Sequence, residues 1–250
     1  MRTPTATVRS ASGRRRQYPV MALLYLVRHG ETDWNREQRW QGHHDRPLSP
    51  SGRSQATVVA RRLAGERIAQ VHTSDLARAR QTAEIVAGAC GIDSIADRAL
   101  REVDIGSWAG LTRAEVKERF PEGYRRRREG GKGWDGGETY AEMGERVVAY
   151  VERLVAGCAA SARIAIVCHS GVVRMLVVRS LGLAPADRGR IGGNEHGALT
   201  VLRVRKQEWS LRVYNDCGHL RDLDADDDET IRATTTAPHP APPCTPSPPP

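Results

Sequence analysis

Short aliphatic segments alternate along the chain with longer segments of helical periodicity, and this alternation restricts the fold more than any other feature. The segments ALLYLV, IAQVHTS and ARIAIVCHS predict buried strands at residues 22–27, 68–74 and 162–170. Apolar spacing predicts helices at residues 48–66, 74–91, 138–158 and 171–183, and a closing hairpin is expected at residues 198–215. Repeated β-α units indicate the α/β class, in a three-layer α/β/α arrangement with a mostly parallel central sheet.

Local signals predict where the first two helices begin and end. Ser49 is expected to cap the first, with Pro50 at its first position. The second is expected to begin after a cap at Ser74 or Asp75 and to end at Gly91. Between residues 106 and 138 the periodicity lapses into a segment rich in Gly and Arg, which predicts an irregular cap or lid, a binding loop or disorder.

The composition changes at both ends of the patterned region, which covers residues 21–220. Residues 1–20 are basic and without period, and residues 221–250 are first acidic and then Pro-rich, so both are predicted to be disordered tails. The basic stretch before the first strand is similar to a signal peptide, but its apolar run is short and no small-residue cleavage site follows. We interpret it as the approach to a strand, with secretion as the minor alternative.

Cysteine usage and hydropathy indicate a cytoplasmic protein, and the charge indicates a phosphate-bearing partner, from nucleic acid to a phosphorylated metabolite. The five cysteines are widely spaced without a CxxC pair, which argues against a disulfide framework or a structural zinc site. No apolar run approaches the ~20 residues of a membrane span. The net charge of +8 favours phosphate-bearing partners. No recognition motif or aromatic-interleaved basic patch supports nucleic-acid binding, and we expect none.

Residues 26–35, LVRHGETDWN, place polar side chains directly after the first strand. Ligands of such sheets bind beyond the carboxyl ends of the strands, where His29 and His169 are both expected. Arg28 offers a planar fork of donors for phosphate oxygens, and Gly30 allows a ligand to approach closely. A neutral imidazole can attack phosphorus when its other nitrogen is held by an acceptor. This corner is therefore predicted to bind an oxyanion and to react with it.

No metal site is predicted. The adjacent residues His43 and His44 stand beside a single carboxylate, Asp45, and we interpret the two histidines as surface or loop residues. Arginine and histidine clusters can neutralise a transferring phosphoryl group without a metal.

Five blocks of the chain resemble, in order, the histidine phosphatase superfamily, which includes the cofactor-dependent phosphoglycerate mutases. The blocks are LVRHGETDWN, RWQGHHDRPLSPSGRSQA, TSDLARARQTAEI, LREVDIGSWAGLT and IVCHSGVVR, and the resemblance covers nearly all of residues 22–220. It implies a phosphoglycerate mutase-like fold and phosphoryl-transfer chemistry.

The resemblance also implies a role for each matching residue. His29 resembles the nucleophile that becomes phosphohistidine, and Glu102 resembles the general acid that protonates the leaving oxygen and then activates water. The residues that resemble the grip on the phosphoryl group are Arg28, Arg78 and His169. Those that resemble further substrate contacts are Thr32, Asn35, Gln41, Gly42, Ser170 and Arg113. Ser170 stands where many members of the superfamily have Gly, and Arg113 stands where the mutases have a substrate-binding lysine.

Two competing interpretations of single residues stay open at this point. Asp104, two residues beyond Glu102, is a rival acid, and Glu102 could instead pair structurally with Arg101. Cys168 and Arg174 form a C-x5-R spacing, which cysteine-dependent phosphatases use, although Met175 replaces the hydroxyl residue usual after that arginine.

The reaction expected from the resemblance is metal-independent hydrolysis of a small anionic phosphomonoester, because EVDIG stands where mutases typically carry an ERHYG-like block and their long insertion is absent. Hydrolysis requires no cofactor. The alternative is a phosphoglycerate mutase dependent on 2,3-bisphosphoglycerate, favoured by Arg113 and by the Arg125–Arg128 run. That run is either a solvated charged loop or a segment that captures an anionic substrate. A non-catalytic regulatory member ranks last, since every expected catalytic residue is present. Homo-oligomerisation stays open.

Overall fold

The computed structural model describes residues 6–8, 16–18, 21–206, 208–221 and 223. Two short strands, β1 (Ala6–Val8) and β2 (Arg16–Tyr18), pair antiparallel in the segment expected to be a disordered tail. Disorder in the rest of residues 1–20 and in nearly all of residues 221–250 lies outside the described residues and stays a prediction.

A six-stranded sheet forms the centre of the molecule, with the order β5-β4-β6-β3-β7-β8. Its strands are β3 (Met21–Arg28), β4 (Gln70–Thr73), β5 (Ser94–Ala96), β6 (Ala162–Cys168), β7 (Leu199–Arg205) and β8 (Glu208–Asp216). The first four are mutually parallel, whereas β7 and β8 form the antiparallel hairpin that the sequence predicted. The sheet is therefore mixed, with its parallel part on one side of β3.

Helices cover both faces of this sheet, which confirms the three-layer α/β/α prediction. They are α1 (Asp33–Arg36), α2 (Pro50–Ala64), α3 (Ala77–Cys90), α4 (Arg113–Arg119), α5 (Pro121–Arg128), α6 (Tyr140–Gly157) and α7 (Ser170–Ser180). Short 3-10 turns occupy Arg98–Leu100, Gly106–Trp108, Pro185–Arg190 and Gly218–Leu220. In the part of the chain that the structure describes, no helix is long and apolar enough to cross a bilayer.

Alternate side chains of β3 bury themselves in two separate cores. Leu24 and Leu26 pack in the cluster that contains the apolar residues of α6 and α7, while Tyr25 and Val27 pack with those of α2 and α3. This alternation follows from the two-residue repeat of a strand. Full burial of each such side chain contributes about 1.5–3 kcal/mol, which fixes β3, and hence the residues that follow it, rigidly between the two helical layers.

The predicted boundaries of α2 are confirmed, and one boundary of α3 is wrong. Ser49 caps α2 by accepting a hydrogen bond from the backbone of Gly52, and Gly91 ends α3. The N-cap of α3 is Leu76, without a side-chain cap; instead the first helical amide, that of Ala77, donates to Asp45 Oδ1 at 2.5 Å. The hydrogen-bond acceptor for the start of α3 therefore comes from Asp45, in a distant loop, and not from Ser74 or Asp75 as expected.

The segment expected to be irregular contains the helices α4 and α5, which corrects that prediction for residues 113–128. Thr112 and Glu115 form a capping box at the start of α4, and Pro121 begins α5. Trp108 and Trp134 hold the flanking stretches in the core, with ring centroids 5.4 Å apart. The segment is thus packed onto the domain beside the carboxyl ends of the strands.

Candidate active site

His29 lies directly beyond the carboxyl end of β3, and its position is fixed by its neighbours. Its backbone amide donates to the carbonyl of Cys168 at 2.9 Å, and its Nδ1 donates to the carbonyl of Gly30 at 2.7 Å. Because the carbonyl can only accept, Nδ1 carries the proton and Nε2 keeps its lone pair in the neutral ring. Burial, followed by the charge of Arg78, lowers the pKa of His29 well below its usual value, so the ring is neutral at physiological pH.

Two glycines bring the loop after His29 against the start of α2. A Cβ on Gly30 would lie 2.2 Å from the carbonyl oxygen of Gly52, and a Cβ on Gly52 would lie 2.1 Å from that of Glu31. The amide of Gly30 donates to Thr82 Oγ1 at 3.1 Å. His29 thus rests on backbone packed too closely for any other residue at either glycine.

Arg78 projects from the first turn of α3 and is almost completely buried. Its Nη1 and Nη2 donate to the carbonyls of His44 and Gly42, both at 2.8 Å. Burial lowers its pKa to about 10, which leaves the guanidinium charged at neutral pH. Its Nε has no hydrogen-bond partner among the described residues, so this donor is available to a phosphoryl oxygen.

Arg28 and His169 complete the group of donors around His29. Arg28 donates to the carbonyl of Asn194, and burial lowers its pKa to about 10 while its Nε finds no partner in the described chain. The ring of His169, at the N-cap of α7, lies 5.2 Å from that of His29, centroid to centroid. Its two nitrogens are fully buried and contact no polar partner among residues that the structure describes. These groups are suited to the oxygens of a phosphoryl group on His29.

Glu102 is held at the cavity by two backbone amides. Its Oε1 accepts from Val103 and its Oε2 accepts from Gly171, both at 2.9 Å. The sequence left open an ion pair between Glu102 and Arg101, but Arg101 pairs with Asp75 at 2.6 Å. It also left open Asp104 as a rival acid, but Asp104 accepts a hydrogen bond from the amide of Gly106 and does not line the cavity. Glu102 therefore has the position expected of the proton donor.

A cavity of about 310 Å³ opens over His29. The sequence-predicted residues that line it are Arg28, His29, Asn35, Gln41, Gly42, Arg78, Glu102 and Ser170. His169 lies buried against His29, and Thr32 lies below the surface, where its hydroxyl caps α1 and accepts from Gln41 at 2.8 Å. Arg113 is not brought to the cavity, because its guanidinium donates to Tyr124 Oη at 2.7 Å on the outer side of α4 and α5.

Several residues at the site were not predicted. His43 lies in a turn, as expected, but its contact with the site was not predicted: its Nε2 lies 2.8 Å from the backbone carbonyl of Glu102. His196 contacts Arg28 at 2.6 Å, and its ring lies 5.8 Å from that of His29. The signal for His196 was its place just before β7: because β7 runs antiparallel to β3, its beginning lies where β3 ends.

Cys168 is the last residue of β6 and is fully buried in the core cluster beneath α7. Burial, reinforced by the charge of Glu102, raises the pKa of its thiol far above the usual value, whereas a nucleophilic cysteine requires a lowered one. It is not among the cavity-lining residues. The geometry therefore does not favour the C-x5-R interpretation, although Arg174 itself does line the cavity.

Comparisons with known proteins agree with this geometry. The family model of the histidine phosphatase superfamily (branch 1) matches residues 24–217. The chain belongs to this superfamily.

A probable phosphoglycerate mutase GpmB from Klebsiella pneumoniae is 42% identical over 214 residues, which cover 80% of this chain and 95% of the relative. Phosphoglycerate mutase-like protein 4 of Arabidopsis thaliana is 35% identical over 207 residues, covering 80% and 88%. A mycobacterial glucosyl-3-phosphoglycerate phosphatase, solved in complex with VO3, is 31% identical with a TM-score of 0.73, covering 77% of this chain and 98% of that one.

Proposed function

We propose that the protein is a metal-independent phosphomonoesterase that acts on a small anionic phosphorylated metabolite through a phosphohistidine at His29. The observation that carries this proposal is the state of His29. Its Nδ1 proton is committed to the Gly30 carbonyl, and burial keeps the ring neutral, so Nε2 is a nucleophile surrounded by arginine and histidine donors. Phosphoryl transfer asks of a protein mainly such positioning and charge neutralisation.

In the first half of the proposed reaction, Nε2 of His29 attacks phosphorus, and the bond from phosphorus to the leaving oxygen breaks. Glu102 gives its proton to that oxygen, and the alcohol departs. In the second half, Glu102 takes a proton from water, the resulting hydroxide attacks phosphorus, and the P–N bond breaks to release inorganic phosphate. Arg28 and Arg78 neutralise the charge on the equatorial oxygens in both steps, and His169, which burial keeps neutral by lowering its pKa well below the usual value, donates a hydrogen bond to them.

Two cationic residues that line the cavity are evidence for an anionic substrate. Arg127, from the tetra-arginine run, and Arg174 both line the cavity. Neither forms a salt bridge with a described residue, whereas Arg125 in the same run pairs with Glu122 and Glu129. Two uncompensated cations beyond the phosphoryl grip favour a substrate with a second negative group, such as a carboxylate. Only one residue of the run therefore supports the substrate-capture interpretation, and Arg125 is a solvated surface charge.

Mutase activity stays the second candidate, since curated relatives carry that name. The position of Arg113 argues against it, because the residue that stands in place of the mutase lysine lies away from the cavity. Hydrolysis is further supported by a structural neighbour named as a phosphatase.

The decisive experiment is a screen of phosphomonoesters with and without 2,3-bisphosphoglycerate, monitoring both phosphate release and isomerised product. The panel contains 3-phosphoglycerate and glucosyl-3-phosphoglycerate, which carry a carboxylate, together with sugar phosphates, α-ribazole phosphate and glycerol phosphate, which carry no anionic group besides the phosphate. We expect phosphate release that survives EDTA, no isomerisation and a trapped phosphoenzyme stable in alkali but labile in acid. Cofactor-dependent isomerisation would establish the mutase instead, and a strict requirement for added metal would refute the mechanism.

Matched variants test the substrate part of the proposal. Arg174→Gln is expected to raise KM about tenfold for carboxylate-bearing substrates and little for glycerol phosphate. Arg179→Gln is the control, because Arg179 lies on the same helix but pairs with Glu152 at 3.5 Å and does not line the cavity. Equal effects of Arg174→Gln on both substrate classes would contradict a second anionic contact.

A further inference from the structure

The four residues Asn194 to Gly197, which precede β7, are built around Arg28. The carbonyl of Asn194 accepts from Nη1 of Arg28, and His196 Nε2 lies 2.6 Å from its Nη2. The amide of Gly197 donates to the carbonyl of Arg28 at 3.0 Å. Each terminal nitrogen of this guanidinium thus has one contact, and its buried Nε has no partner in the described part of the chain.

The contact defines the proton arrangement of His196. A guanidinium has only donors, so Nε2 must accept and the ring must be neutral, with its proton on Nδ1. Burial, with Arg28 as the second cause, lowers the pKa of His196 to about 3, so the contact persists through the physiological range.

A neutral acceptor at this place differs in effect from a carboxylate. A carboxylate would hold the guanidinium equally well but would offset its charge, and the attraction for a phosphoryl dianion would fall accordingly. A neutral imidazole restricts the rotation of Arg28 and adds nothing to the partial compensation of its charge by Glu102 and Glu195. Since His196 is not among the cavity-lining residues, it acts through Arg28 and not on the substrate.

We propose that His196 is a positioning residue that orients Arg28 for the phosphoryl group transferred to His29. This inference rests on the proposed function, because it takes the bound group to be a phosphoryl group. The role of His196 follows from its contact with Arg28.

The test measures binding of inorganic phosphate by calorimetry, which requires no turnover. His196→Ala is expected to weaken binding about tenfold, since a hydrogen bond to a charged group is lost. His196→Gln places an acceptor near the position of Nε2 and is expected to restore binding to within about threefold. His196→Asn reaches only the position of Nδ1 and is expected to behave like His196→Ala.

Two controls separate positioning from a general structural role. His196→Ala combined with Arg28→Ala is expected to bind phosphate no more weakly than Arg28→Ala alone, because His196 acts only through that arginine. His72→Gln is the matched control: His72 is also buried and hydrogen-bonded, to Tyr150 and Gln70, but it lies away from the cavity. It is expected to lower the melting temperature and leave phosphate affinity unchanged.

Several outcomes would overturn the inference: unchanged phosphate affinity in His196→Ala, equal rescue by Asn and Gln, or a full additional loss in the Arg28→Ala background. A wild-type protein that binds no phosphate would overturn it too. If phosphate binding shows the expected coupling while no phosphomonoester is hydrolysed, the proposed function fails and the positioning role stands.

Discussion

Replacing Gly171 with alanine should damage catalysis without damaging the fold. A Cβ at this position would lie 2.1 Å from Oε1 of Glu102 and 3.0 Å from its Cδ, while the Gly171 amide holds Oε2 of the same carboxylate at 2.9 Å. To reach ordinary contact the carboxylate must retreat by about 1 Å, and a displacement of this size can cost about 10²-fold in rate. We therefore expect kcat to fall by about 10², within the 10²–10⁴ range typical of general acid–base catalysis.

The assay is steady-state phosphate release from the best substrate of the panel, together with thermal unfolding. Gly88→Ala is the matched control, because Gly88 lies within α3 and a Cβ there meets nothing within 4 Å. It should leave kcat unchanged and stabilise the protein by about 0.5–1 kcal/mol. In a Glu102→Ala background, Gly171→Ala should add less than threefold. An unchanged kcat in the single variant, or a full 10² loss without Glu102, would refute the reasoning.

Three further outcomes are expected. Gly30→Ala should unfold the site or lower the melting temperature by several degrees, measured by calorimetry, because its Cβ would meet the Gly52 carbonyl at 2.2 Å. Cys168→Ser should keep turnover within a few fold whereas His29→Ala abolishes it; the reverse pattern would establish the cysteine mechanism. The pKa of His29 lies well below the unfolded value and that of His196 is about 3, so the unfolded chain binds more protons as pH falls below ~6.5. The free energy of unfolding should therefore drop between pH 7.5 and 5.5, by about 1.4 kcal/mol for each of these histidines, as denaturant titration would measure.

The parts of the fold that the sequence predicted are those in which local pattern and tertiary packing agree. β3 and β6 are continuous aliphatic runs because both of their faces are covered, and this pattern is visible without a structure. The same runs end in His29 and His169, so parallel topology alone brings the two histidines together. The catalytic roles came from the family resemblance, and the geometry agrees with them.

The features that the sequence did not predict depend on contacts between distant parts of the chain. The start of α3 depends on Asp45, a residue 32 positions before Ala77. The helix α5 has almost no apolar periodicity, because four of its eight residues are arginines; its Gly123 is buried, and Arg127 stacks on Trp40 at 4.4 Å. The place of His196 just before β7 is its only signal, and that place meets Arg28 only when β7 folds back along β3.

The site uses one set of charges for two purposes. Burial, together with the charge of Arg78, lowers the pKa of His29 and so keeps its ring neutral. In the proposed reaction Arg78 and Arg28 also attract the phosphoryl oxygens that His29 must reach. Burying two guanidinium groups is costly, and in Arg78 the cost is offset by the carbonyls of Gly42 and His44, which accept hydrogen bonds without cancelling the charge. Arg28 is held on the same principle, by a carbonyl and by the neutral ring of His196. The hydrogen-bond acceptors of both cations are neutral, so Glu102, Glu195 and Asp45 compensate the two charges only in part, and in the proposed reaction the substrate brings further negative charge.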